Sequence, residues 1–362
     1  MIFCFYPLST EMQIEILTEQ EKETLQNLIA GAENIVVCCH RRPDGDAIGS
    51  SLAWADYLRL KGKKPVVVVP DGYPDFLRWL PGTENILRFD NHVEKAENVI
   101  AGADLLFCLD FNDPSRVGDM ETALRNTKAR RIMIDHHLNP TVDTVLTISH
   151  PEMSSTCELV FRIVWQLGGF EETERTFAVP LYCGMMTDTG GFTYNSNSPE
   201  IFFIISKLLE KHIDKDKIYR NVYNNYSEWR MRLTGYVLYQ KLNVLRDLAA
   251  SYFTISREDM KNFHFIRGDA EGLVNMPLQI KGMKVSVSLR EDSEKDNMIW
   301  VSLRSVDDFP CNEMAQKFFN GGGHLNASGG KLECSLEEAE KVVRQAFTYY
   351  SDKLKIRNKD MA

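Results

Sequence analysis

The sequence predicts an α/β protein. Its large N-terminal domain has a parallel sheet of about five strands flanked by helices. A helical linker follows, then a smaller α/β C-terminal domain with a mixed sheet, and the active site is expected in the cleft between the two domains. Three observations carry this. Short, almost uninterrupted apolar runs alternate with helical segments through the first 150 residues, as strands buried on both faces require. Beyond about residue 250 the runs alternate strictly instead, as in SYFTIS, KVSVSLR and MIWVSLRS, the period of a half-buried sheet. Between them, residues 199–245 carry no strand signal. The boundaries expected are 12–205 for the large domain, 206–245 for the linker and 246–350 for the second domain.

Taken in order, Thr18-Glu19-Gln20-Glu21 fits a capping box opening a helix that runs to about Gly31,. NIVVCC (34–39) reads as the first strand. A helix from about Ala47 to Leu60 stops at Gly62, the residue that most easily closes a helix in a left-handed conformation,. PVVVV (65–69), DLLFCLD (104–110) and RRIMID (130–135) are the next strands, separated by helical stretches. From Ser154 to about Val244 the pattern is mostly helical. In the second domain EDSEKDN (291–297) joins two strands into a hairpin, with Ser286, Ser288 and Arg290 on one strand sharing the polar face with Ser302 and Arg304 on the other,. GGGHLNASGG (321–330) and a helix from about Ser335 to Tyr350 complete it, and the tail SDKLKIRNKDMA is expected to fray,.

Composition narrows the function classes. There are 42 basic against 51 acidic residues, a formal net charge of −9, and the whole excess of acid lies before residue 235. Proteins that track long nucleic acid depend on neutralising phosphates and are usually basic. Here either the partner is small or the acids are neutralised by metal. No apolar run approaches the ~20 residues of a membrane span. The opening MIFCFYPLSTEM lacks a basic start and a small-residue cleavage site, so it is not read as a signal peptide, and Met12 stands as an alternative natural start,. The eight cysteines (4, 38, 39, 108, 157, 183, 311, 334) form no CxxC pair. They read as buried free thiols of a soluble, cytoplasmic protein rather than a zinc ribbon or a disulfide framework.

The chemistry-bearing residues gather at strand ends. After the first strand come His40, Asp44 and Asp46, in a turn containing Pro43 and Gly45. Asp46 taken alone is as well explained as the N-cap of the next helix, which leaves His40 and Asp44 unexplained. Asp110 closes DLLFCLD, and Asp135-His136-His137 closes RRIMID. Adjacent side chains diverge, so one histidine suits a metal and the other is left for substrate. Asp188 lies in a helical run rich in small residues and, if buried, needs a partner. His40, Asp44, Asp46, Asp110, His136 and Asp188 form an Asp-rich set without thiolate, which suits Mn²⁺ or Mg²⁺ rather than structural zinc. Six ligands are too many for one open ion and about right for two ions sharing a carboxylate, the arrangement that clamps phosphoryl transfer around a bridging hydroxide.

HRRPDGDAIGS, LDFND, IDHH and TDTGGF resemble, in order, the four motifs of the DHH phosphoesterase superfamily. GGGHLNASGG resembles the signature of its DHH-associated C-terminal domain. The likeness covers about residues 20–350 and is nearest to the short bacterial branch of NrnA-type oligoribonucleases and 3'-phosphoadenosine 5'-phosphate (pAp) phosphatases, often labelled exopolyphosphatase-related. It implies one Mn²⁺ on His40, Asp44 and Asp110 and a second on Asp46, Asp110, His136 and Asp188, with Asp110 bridging and Mg²⁺ or Co²⁺ as substitutes. Asp135 would orient its neighbours, and His137 would contact the scissile phosphate or protonate the leaving oxygen.

In the second domain Gly321, Gly322 and Gly323 let a phosphate approach exposed backbone N–H groups. His324 adds a donor, and Arg304 suits a bidentate grip on a terminal phosphate. Arg290, Ser302 and Asn326 are weaker candidates beside it. The resemblance implies Mn²⁺-dependent hydrolysis of short oligoribonucleotides to mononucleotides, and of pAp to AMP. A cyclic di-AMP or pApA phosphodiesterase is the alternative on the same residues, and a non-catalytic nucleotide sensor the alternative from another class. Expected partners are short RNA or a small nucleotide, with no long duplex and no membrane, and homodimerisation stays open.

Overall fold

The computed structural model describes residues 13–266 and 268–354. The apolar opening with Cys4 and Met12, and the tail beyond Leu354, lie outside the described residues. The chain divides into two units between Asn225 and Tyr226.

In the first unit the apolar runs become six parallel strands: β1 (Ile35–Cys38), β2 (Val66–Val69), β3 (Leu87–Arg88), β4 (Leu105–Leu109), β5 (Arg130–Asp135) and β6 (Leu146–Ser149). The strand order is β3-β2-β1-β4-β5-β6. Consecutive strands therefore run outward from β1 in one direction and, after β3, in the other. This creates a switch point between β1 and β4, where crevices open beyond the carboxyl ends of parallel strands. Six strands form where about five were expected. Of the two edge strands not among the four apolar runs, β3 has only two residues, and β6 (LTIS) alternates buried and open positions instead of forming an apolar run.

Helices cover both faces. They are α1 (Glu19–Gly31), α2 (Gly45–Leu60), α3 (Val93–Ala101), α4 (Glu121–Asn126), α5 (Thr156–Gln166), α6 (Arg175–Asp188), α7 (Pro199–Glu210) and α8 (Lys215–Tyr223). Ile35, Val37 and Phe107 pack with α1, α2, α5 and α6 on one face. Val36, Cys38, Leu106 and Met133 pack with α3 and α4 on the other. Thr18 and Glu21 make the expected reciprocal capping box, and Gly62 takes φ 77° after α2.

Helices α2, α5 and α6 meet through glycine. A Cβ on Gly184 would lie 2.2 Å from Cys157 Sγ, and one on Gly49 would lie 2.5 Å from the Pro180 carbonyl oxygen. Only bare backbone permits that approach.

The second unit has a six-stranded mixed sheet, order β11-β12-β10-β9-β8-β7. Its strands are β7 (Asn243–Leu245), β8 (Ala250–Ile255), β9 (Val285–Glu291), β10 (Met298–Ser305), β11 (Gly322–Gly323) and β12 (Ala327–Glu333). Strands β8 and β9 are parallel and the other neighbours antiparallel. Helices α9 (Glu228–Tyr236), α10 (Arg257–Asn262), α11 (Cys311–Phe318), α12 (Leu336–Tyr349) and α13 (Ser351–Leu354) complete it.

The expected hairpin forms with Ser302 opposite Ser288 and Arg304 opposite Ser286. Its second face is not uniformly wet, however: Ser286 and Ser288 are buried. Leu273 and Val274 join Phe253 and Ile255 in a small core there. The helical linker expected over 206–245, a stretch without strand signal, ends in a strand, β7, because Val244 pairs across to Ser251.

Candidate metal centre

The turn after β1 is built by Asp44. Its side chain accepts the N–H groups of Asp46 and Ala47, both at 3.0 Å, and so caps α2. The alternative reading of Asp46 as that cap is thereby overturned: Asp46 lies inside the helix and turns its carboxylate the other way. Its oxygens accept N–H from Thr156 at 2.7 Å and from Cys157 at 2.8 Å, the first turn of α5.

Asp110 directly follows β4 with φ 61°, a left-handed conformation that aspartate tolerates better than most residues. Asp135 is the last residue of β5, and Asp188 the last of α6.

These positions converge. Donor atoms of His40, Asp44 and Asp110 lie within 4.8 Å of one another, as do those of Asp46, His136 and Asp188, and those of Asp110, Asp135 and His137. Two histidines share one orientation rule. His40 Nδ1 is 2.8 Å from the Arg41 carbonyl oxygen and His136 Nδ1 is 3.2 Å from that of Met153. A carbonyl only accepts, so Nδ1 carries a hydrogen and Nε2 is the atom turned to the carboxylates, ready to ligate a cation once its own proton is displaced.

His40 Nε2 stands 3.3 Å from Asp110 Oδ2 and 3.9 Å from Asp44 Oδ1. His136 Nε2 stands 3.6 Å from Asp110 Oδ1, 3.6 Å from Asp188 Oδ2 and 3.9 Å from Asp46 Oδ2. Asp110 thus turns one oxygen to each group.

The electrostatics are those of an overcrowded anionic site. Asp46 and Asp110 are only 1% and 2% exposed. Burial, then the charges of Asp110 and Asp188, push Asp46 well above the carboxylate range. Burial chiefly raises Asp188 to about 7. Burial would lower His40 and His136, but the surrounding carboxylates override it and hold both at about 9. Asp110, which burial alone would raise, is drawn below the ordinary range by His40 first and then His137 and His136. Four close carboxylates with two imidazole Nε2 atoms directed at them fit hard divalent cations, whose charge would displace the imidazole protons and relieve this repulsion.

His137 is set apart from the other two histidines. Its Nδ1 is 2.7 Å from Asp135 Oδ1, and its own N–H donates to Asp135 Oδ2 at 3.0 Å. Asp135 is expected to orient the neighbouring ligands, and the neighbour it holds is His137.

The sequence reading missed the turn Ser154-Ser155-Thr156. Thr156 donates its Oγ1 hydrogen to Asp110 Oδ1 at 3.1 Å, besides its N–H to Asp46. The available signal was Ser155 followed three residues later by Glu158, an N-terminal helix signature placed just after a strand.

In the second unit, Arg304 is partly buried on β10. Its Nη1 donates to the Leu303 carbonyl at 2.9 Å, and it has no carboxylate partner among the described residues. Gly321–Gly323 is not an open loop. Gly322 and Gly323 pair with Gly329 and Ser328, and the Gly321 N–H is occupied by the Ala315 carbonyl at 3.2 Å. A Cβ on Gly321 would lie 1.9 Å from the Gly329 carbonyl oxygen, so close strand contact explains that glycine. Gly323 and His324 are exposed at the hairpin tip, where the His324 N–H donates to the Ala327 carbonyl at 2.8 Å. Asn326 ties the same tip to Ser305 Oγ and the Asp307 carbonyl, and Arg290 lies over the Phe265 ring. Ser302 is exposed on β10.

Six cysteines described here are buried and Cys334 is half-buried, all as free thiols. Among the described residues no helix is long and apolar enough to cross a membrane.

Residues 34–185 match the DHH family N-terminal domain, and residues 250–349 match the DHHA1 domain. A crystal structure of an exopolyphosphatase-related protein from Bacteroides fragilis is 49% identical with a TM-score of 0.90, covering 94% of this chain and 98% of that one. The bifunctional oligoribonuclease and PAP phosphatase NrnA of Thermus thermophilus is 28% identical over 86% of this chain and 88% of its own length. The cyclic-di-AMP phosphodiesterase PdeA of Listeria monocytogenes is 26% identical over 91% of this chain but only 49% of its own length. With both domains in order and a relative of nearly half-identical sequence matched end to end, the chain belongs to the DHH family of phosphoesterases and is a phosphohydrolase.

Proposed function

We propose that the protein is a divalent-cation-dependent phosphoesterase that degrades very short RNAs to mononucleotides and removes the 3'-phosphate of pAp. The observation that carries this is the division of Asp110, with Oδ2 facing His40 and Oδ1 facing His136. Two cations sharing that carboxylate would be held by His40, Asp44 and Asp110 on one side and by Asp46, Asp110, His136 and Asp188 on the other. Mn²⁺ suits this donor set, with Mg²⁺ or Co²⁺ as substitutes. Such ions supply Lewis acidity and a water acidified enough to act at neutral pH.

The remaining steps fall to the chain's own side chains. Asp135 holds His137 by Nδ1, which leaves Nε2 as the proton-carrying face, so His137 protonates the leaving oxygen while Asp135 stabilises the imidazolium. Arg304, without a carboxylate partner among the described residues, grips a terminal phosphate, with the Gly323–His324 tip, which leads into the strand paired with its own, as a second phosphate contact. A single terminal grip favours short chains, in keeping with the net charge of −9,.

A second reading, hydrolysis of cyclic di-AMP or pApA, draws on the likeness to PdeA across 91% of this chain. One assay separates them: turnover with Mn²⁺ of a two- to five-nucleotide RNA ladder, pAp, pApA and cyclic di-AMP, with an EDTA control. Mononucleotides from the ladder together with AMP from pAp support the first reading. Turnover confined to pApA or cyclic di-AMP moves the protein to the second. Binding without any turnover would leave a nucleotide sensor.

A further inference from the structure

Glu158 and Arg162 are 1% and 2% exposed. One carboxylate oxygen of Glu158 accepts Arg162 Nε–H at 2.9 Å and Nη2–H at 2.7 Å. A buried ion pair is a poor way to stabilise a fold, because desolvation consumes most of the attraction. The other oxygen indicates what this one does. In an ordinary capping box the acid at the third helical position returns to the N-cap N–H. Here Ser155 caps α5 through the Glu158 N–H at 3.1 Å, yet the Glu158 carboxylate reaches one residue further. It takes the Ser154 N–H at 2.9 Å and the Ser154 hydroxyl at 2.6 Å. Ser154 is the neighbour of Met153, whose carbonyl holds His136 Nδ1. Arg162 in turn is fastened by Nη1 to the Gln13 carbonyl at 2.5 Å.

We infer that the Glu158–Arg162 pair is a positioning device for the cation centre, clamping the first turn of α5 so that one rigid segment aims three donors at once. Met153 orients His136, the Thr156 and Cys157 N–H groups orient Asp46, and the Thr156 hydroxyl orients Asp110. The inference rests on reading those donors as a cation centre. It concerns residues that touch neither cation nor substrate, and partners of that kind typically change metal affinity about 10–100-fold.

The test measures Mn²⁺ binding to the full-length, chelator-stripped protein by the electron paramagnetic resonance of free Mn²⁺. Melting temperature and amide hydrogen exchange at Thr156 and Cys157 are measured alongside. Glu158→Met combined with Arg162→Met removes both charges at similar volume, a change that buried pairs often tolerate. The expected result is a folded variant with Mn²⁺ affinity lowered about 10–100-fold, faster exchange at those two amides, and hydrolysis of bis(p-nitrophenyl) phosphate restored by raising Mn²⁺. Affinity within twofold of the unaltered protein would overturn the inference. Should the double variant not fold, Ser154→Ala removes only the hydroxyl link. It is expected to weaken binding about tenfold, the lower end of that range, and unchanged binding there is equally fatal. No nucleotide enters the binding measurement, so a wrong substrate assignment leaves the inference standing. An unaltered protein that bound no Mn²⁺ would remove both.

Discussion

Asp135 holds His137 at two points, with one carboxylate oxygen 2.7 Å from Nδ1 and the other accepting the His137 N–H at 3.0 Å. The ring is thereby fixed in rotation and in tautomer. Nothing in that arrangement is needed to bind a cation through His40 or His136, whose Nδ1 atoms are held by backbone carbonyls instead.

From this follows a separation of effects. His137→Asn is expected to lower kcat by about 10²–10⁴, the usual contribution of a positioned acid, while Mn²⁺ affinity measured by titration stays within a few-fold. Asp135→Asn keeps the size of the side chain but can no longer balance an imidazolium, so kcat should fall while the substrate KM moves little. Parallel loss of cation binding in His137→Asn would instead make His137 a ligand.

Asp110 is the residue both groups share, and its φ of 61° dictates which substitution tests it. Alanine would strain a left-handed position, whereas asparagine adopts it readily. Asp110→Asn should therefore fold with a near-unchanged melting temperature. It should bind fewer Mn²⁺ per chain than the unaltered protein and lose more than about 100-fold in turnover, since partners that merely orient a ligand already cost about 10–100-fold. Calorimetric stoichiometry and steady-state rates check this. Retained activity with a full complement of cation would remove the sharing of Asp110.

Arg304 lies opposite Ser286 and Ala327 on its neighbouring strands, neither of which can neutralise it. Arg304→Ala should raise KM for a 5'-phosphorylated dinucleotide about tenfold, the equivalent of about 1.4 kcal/mol, with a smaller change in kcat. Lysine should restore only part of it, because an ammonium cannot form the two parallel bonds of a guanidinium. Equal KM values for the phosphorylated and unphosphorylated dinucleotide in the unaltered protein would exclude a terminal-phosphate grip.

What the sequence disclosed and what it hid divide along physical lines. Strands buried on both faces write themselves as apolar runs, so β1, β2, β4 and β5 were legible. A parallel sheet brings its carboxyl ends together, so His40, Asp110 and Asp135 could be grouped without knowing the fold. Capping is local, which made Thr18 and Glu21 legible as a pair. The role of Asp46 was not, because its partners lie more than a hundred residues away at Thr156 and Cys157, and a capping aspartate looks the same whichever helix it caps. Glycine is depleted in strands, which hid β11, and the burial of Ser286 depends on a distant segment at Leu273 that no strand pattern encodes.

Proton competition gives the last expectation. Without metal, His40 and His136 are held at about 9, above the ordinary 6.5, and Asp188 at about 7, above the ordinary 3.8. All three bind protons more tightly in the folded state than in the unfolded one. The stability they contribute is full below their unfolded values and is lost as pH rises through the folded ones, so the metal-free melting temperature should fall between pH 4 and about 9. A cation needs these same groups unprotonated, and its binding releases the protons. Mn²⁺ affinity should therefore climb with pH, by up to about tenfold per unit for each proton displaced, and level off above about 9, where both imidazoles are already neutral. The stabilisation conferred by saturating Mn²⁺ should widen over the same interval. Melting curves with and without Mn²⁺ at one-unit pH steps read both trends at once. A metal-free melting temperature that rose across this interval, or a Mn²⁺ affinity flat between pH 6 and 8, would show that these histidines do not face the cation.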